Sequence, residues 1–97
     1  MRRVVITGMG IVSSIGNNTQ EVLASLYDAK PGITRSDKYA ELGFRSQVYG
    51  KPTLDPSDLI DRRAMRFLAE GSAWNHVAME QAIQDAGLQP SEIGRAS

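Results

Sequence analysis

The chain has 97 residues, of which 41% are apolar and 23% charged, with nine Gly, four Pro and no Cys. That composition excludes a disordered or membrane-spanning chain, and the length fits a single domain with a real core. The formal net charge is zero, but ten basic and seven acidic residues fall in 1–66 against one basic and four acidic in 67–97. A broad nucleic-acid surface is thereby excluded, whereas a local basic patch is not.

Without Cys the chain offers no disulfide, no thiolate zinc site and no cysteine nucleophile. His76 is the single histidine, which excludes a multi-histidine metal centre. No apolar run approaches the ~20 residues of a transmembrane helix. Arg2 and Arg3 precede only Val4-Val5-Ile6 before polar Thr7, too little for a signal peptide, so the expected location is cytoplasmic.

Val4-Val5-Ile6-Thr7 is a β-branched run ending at Gly8 and reads as a short buried strand. Gly8-Met9-Gly10 then predicts a turn or a close approach of backbone. Asn17-Asn18-Thr19 supplies helix-start chemistry, with Asn18 as cap and Glu21 in capping-box position. Val22, Leu23 and Leu26 continue at helical spacing, and Pro31-Gly32 ends the helix near residue 29. Residues 30–58 are the least regular, with one edge-strand candidate over 45–49 and a helical turn at Ser57-Asp58.

Asp61 is the expected cap of a long helix over 62–86, where Gly71 is the only glycine and Pro is absent. Ala64, Leu68, Gly71, Ala78, Ala82 and Ala86 share one side, and their small size permits another backbone to come close. Phe67, Trp74, Val77 and Ile83 widen the apolar stripe, which predicts burial on more than one side with Phe67 and Trp74 in the core. Gly87 is the expected C′ residue, followed by Leu88 and Pro90.

A strand followed by two helices is the opening of a parallel α/β sheet, and such a strand needs neighbours for its backbone groups. No further strand follows Leu88, so the expectation is a fragment of a larger fold. A dinucleotide fingerprint is not met. Ser13 stands where a third Gly or Ala is needed, and Asp28, near the right distance for the acid, lies inside the first helix. No cofactor is expected. Ser13-Ser14 lacks the spacing of a nucleophile elbow, and His76 with Glu80 is an ordinary i, i+4 pair.

Arg62, Arg63 and Arg66 are the candidate functional residues. Arg66 lies three or four residues from the other two, so the charges share a face. Their mutual repulsion costs on the order of 0.2–0.5 kcal/mol per pair, and cations at a helix N-terminus also oppose its dipole. Guanidinium groups so placed suit an acidic or phosphorylated partner; the alternative is a solvated face with local ion pairs.

The run Val4-Val5-Ile6-Thr7-Gly8-Met9-Gly10-Ile11-Val12-Ser13-Ser14-Ile15-Gly16-Asn17-Asn18 resembles the opening of the beta-ketoacyl-acyl carrier protein synthases. The form Ser-Ser-Ile-Gly-Asn-Asn is closer to the type I branch than to type II. Glu21-Val22-Leu23-Ala24-Ser25-Leu26, Leu59-Ile60-Asp61-Arg62, Arg66-Phe67 and Asp85-Ala86-Gly87-Leu88 extend the likeness to about residue 92. The resemblance implies the first part of a thiolase-like α/β fold, spanning 1–93, with 94–97 as a tail outside the likeness. It also implies a homodimeric parent that condenses an acyl thioester with malonyl-acyl carrier protein through a cysteine and two histidines. None of those three maps here, so the chain by itself is expected to be inactive. Arg63 and Arg66, with Arg62 beside them, match basic residues that help receive the acidic acyl carrier protein. The alternative expectation is a self-associating structural module with no catalytic activity.

Overall fold

The computed structural model describes residues 2–94. They form two units: residues 13–54, and residues 2–12 with 55–94. The expected tail at 94–97 lies outside the described residues except for Gly94.

In residues 13–54, helix α1 spans Thr19–Tyr27. Its cap follows the sequence, but the expected box is not closed, because Glu21 reaches the residue before the cap. The Asn18 side chain accepts from the Glu21 N–H at 2.9 Å, and the Glu21 carboxylate accepts from the Asn17 N–H at 3.3 Å. The Ser25 hydroxyl, buried on α1, donates to the Ile15 carbonyl at 2.6 Å. At the other end Lys30 N–H reaches the Ser25 carbonyl and Ala29 N–H the Leu26 carbonyl. This pattern places the residue after the cap in the left-handed region, and Ala29 indeed has φ 54°.

Strand β1 (Ile33–Arg35) pairs antiparallel with β2 (Val48–Gly50), Thr34 opposite Tyr49. Helix α2 (Asp37–Glu41) fills the connection, capped by the buried Ser36, whose hydroxyl accepts from Tyr39 N–H at 3.2 Å. Tyr39 packs on Phe44 and Tyr49, with ring centroids 5.4 and 5.8 Å away. The candidate over 45–49 therefore becomes β2, shifted slightly along the chain. Its partner β1 was not expected in the irregular stretch.

In the other unit, a 3₁₀ turn at Pro56–Asp58 packs against helix α4 (Glu70–Ala86). Pro56, Ile60, Ala73 and Val77 are the buried residues here. The expected helix over 62–86 is interrupted. Helix α3 covers Arg62–Met65 only, residues 67 and 68 bond back three residues, and Ala69 is extended at ψ 163°. Asp61 stands at the start of α3 but makes no capping bond with its side chain. Gly87 ends α4 at φ 71°, as expected.

The close backbone approach is realised. A Cβ on Gly8 would lie 2.6 Å from the Ala82 carbonyl oxygen and the Ala86 nitrogen. One on Gly10 would collide with the Ala78 carbonyl and come within 2.7 Å of the Gln81 Cβ. The small face of α4 thus receives the glycine segment. Met9 N–H donates to Asp85 Oδ2 and Ile11 N–H to Gln81 Oε1, each at 3.0 Å.

Two expectations fail. Residues 4–7 form no strand, and Val4 and Ile6 are 97% and 89% exposed. The one ladder among the described residues is β1 with β2, and residues 4–7 take no part in it. The broad stripe of α4 is also not enclosed. Only Ala73 and Val77 are buried on α4, Trp74 is half-buried, and Phe67 is exposed rather than core.

Candidate functional site

Arg62 and Arg63 lie on α3, and Arg66 terminates it. The three, with Asp61, line one depression of about 480 Å³. The sequence placed them on one face, and the structure brings them to one site. All three are exposed, and among the described residues none takes part in an ion pair. The local ion pairs of the alternative reading are absent among the described residues: Asp58 and Asp61 do not engage the guanidinium groups.

The break at 66–69 alters the electrostatics expected from sequence. A continuous helix would hold three cations against the positive end of its dipole. Here Arg66 sits at the carbonyl end of α3, where a cation is favourable, and α4 begins afresh with Glu70 in its first turn. The arrangement concentrates positive charge without burying it. Exposed guanidinium groups keep their fork of donors ready for carboxylate or phosphate oxygens.

The apolar character of Phe67 points to a core that the structure does not give it. It is 88% exposed directly after Arg66. The available signal was its position three residues after Ala64 and four after Arg63, which puts it beside the cations as readily as in a core.

Elsewhere, His76 Nε2 lies 3.4 Å from Glu80 Oε1, the i, i+4 pair read from sequence. Among the described residues no group of three His, Asp or Glu could hold a metal ion, and no helix is long and apolar enough to cross a membrane.

The family model "Beta-ketoacyl synthase, N-terminal domain" matches residues 1–97. The chain is 56% identical over 90 residues to 3-oxoacyl-[acyl-carrier-protein] synthase 1 of Escherichia coli (strain K12), covering 93% of this chain and 22% of that protein. It is 52% identical over 88 residues to the synthase 1 of Buchnera aphidicola subsp. Acyrthosiphon pisum, covering 91% and 22%. With the synthase 1 of Haemophilus influenzae identity is 48% over 93 residues, covering 96% and 23%. The chain therefore spans about a fifth of the length of the curated relatives it matches.

Proposed function

This chain belongs to the beta-ketoacyl synthase N-terminal domain family, and from that premise we propose that it is the N-terminal region of a 3-oxoacyl-acyl carrier protein synthase of fatty acid synthesis, carrying part of the surface that receives acyl carrier protein. In this reading residues 4–7 are a strand of a thiolase-like α/β fold whose neighbours belong to the rest of the synthase, which works as a homodimer in the cytoplasm. The chain contains no Cys and one His. The thiol that takes the acyl chain and the histidine pair that assists decarboxylation would have to come from elsewhere. The segment alone is accordingly inactive in condensation.

The observation that carries the reading is the gathering of Arg62, Arg63 and Arg66 around one depression, exposed and unpaired among the described residues. An acidic carrier meets there three cations that need not first surrender an internal partner. Such a surface raises the association rate and makes it sensitive to salt. Titration of fluorescently labelled acyl carrier protein into the chain tests this. Reversing both charges, Arg63→Glu with Arg66→Glu, is expected to weaken binding by tenfold or more, roughly 1.4 kcal/mol, and to flatten its salt dependence. Unchanged affinity and salt dependence would remove the docking role.

A further inference from the structure

We infer that Phe67, whose backbone bonds to Ala64, is an apolar anchor of this docking face and takes an aliphatic side chain of the acyl carrier protein; this rests on the carrier-protein reading above. Phe67 N–H bonds to the Ala64 carbonyl at 3.1 Å, and Leu68 N–H to that of Met65 at 3.2 Å. Both are bonds across three residues, the 3₁₀ pattern, in which side chains at i and i+3 eclipse. Ala64 and Phe67 therefore make one row, and Arg63 and Arg66, likewise three residues apart, each precede a member of it by one position. All four are exposed.

An isolated exposed apolar residue on a protein surface is ordinary. Phe67 differs in its neighbourhood, since it directly follows Arg66, a cation that has no partner among the described residues. Interfaces divide labour in this way. Charges at the rim draw the partner in, and a desolvated aromatic at the centre holds it. Charge complementarity selects the occupant, because the arginine row admits only an acidic surface. The adjoining apolar row then favours a carrier whose carboxylates flank an aliphatic side chain over a uniformly acidic polymer.

Stopped-flow binding of acyl carrier protein to the full 97-residue chain separates the two rows. Phe67→Ala is expected to raise the dissociation rate about tenfold, leaving the salt dependence of association unchanged. Phe67→Leu should recover most of the loss. Arg63→Glu should instead slow association and flatten its salt dependence. If Arg63→Glu weakens binding while Phe67→Ala leaves dissociation unchanged, the anchor is wrong and the docking reading stands. If neither variant changes binding, both fall. A markedly lower melting temperature for Phe67→Ala would also overturn the anchor, because a ring free in solvent supports no fold.

Discussion

The two units satisfy their backbones by different means. Residues 13–54 draw on near neighbours: β1 lies against β2, Ser13 bridges Gly16, and even the distant Asn17–Thr53 contact spans only 36 positions. In the other unit, Met9 and Ile11 reach acceptors 76 and 70 positions away. Those acceptors are side chains of a helix instead of carbonyls of a strand. Loop closure of that length is entropically costlier, and contacts of long sequence separation form late. The contrast shows that a segment outside any sheet can be held by a helix, provided it carries glycines where the helix backbone comes close.

The strongest test of that contrast is Gly10→Ala. The added Cβ meets the backbone of α4, which cannot move aside as a flexible side chain would. Overpacking of this kind costs about 1–3 kcal/mol. Hydrogen exchange should show protection lost at the Met9 and Ile11 amides, with β1 and β2 unaffected. An equal loss in the β1–β2 ladder would erase the distinction between the units.

A smaller effect, of opposite sign, concerns the two helix ends. Leu88 N–H reaches the Ile83 carbonyl and Gly87 N–H that of Gln84, the same pattern found at Lys30 and Ala29. Both sites are left-handed, at φ 71° for Gly87 and 54° for Ala29. Only one of them has the residue that tolerates this without strain. Ala29→Gly should stabilise by roughly 0.5–1 kcal/mol, the relief of strain less the extra freedom of the unfolded chain. Denaturant melts would read it, and a loss of stability would contradict the strain.

The smallest effect is one of pH at the 3₁₀ turn. Asp55 Oδ1 accepts from the Ser57 hydroxyl at 2.6 Å and from the Ser57 N–H at 3.0 Å. The hydroxyl first, then the backbone N–H, hold the carboxyl below its ordinary range. A folded value below the unfolded one gives a contribution that is complete above the ordinary range and lost as pH falls through the lower folded value. The Ser57 amide resonance should therefore titrate with a midpoint below that of an unstructured aspartate. A midpoint at or above it would remove the cap.

Much of this was legible where local chemistry decides. Asn18 and Glu21 announced α1, Gly87 its counterpart at the end of α4, and Gly8, Gly10 and the alanine face their close packing. The site residues were legible as a cluster because a run of cations is visible in any sequence. The break after Met65 was not, since no Pro or Gly marks it. Residues 4–7 have the stronger strand composition, yet the ladder formed at Ile33–Arg35 and Val48–Gly50. Composition states a preference, but a strand forms only where a partner pairs with it, and among the described residues only Ile33–Arg35 and Val48–Gly50 pair. Phe67 shows the same gap from the other direction, since apolarity signals a wish for burial and does not name what provides it.

The hydrogen bonds from Met9 and Ile11 also act as a vernier. Two steps of extended chain advance about 6.8 Å, and one helical repeat of four residues about 6.0 Å, so donors at alternate positions meet Asp85 and Gln81 in antiparallel order. Inserting or deleting one residue here would turn the donors away and drive a side chain into ground that only hydrogen occupies. Met9, whose side chain is largely in solvent, can be exchanged freely, whereas the length of this stretch cannot change.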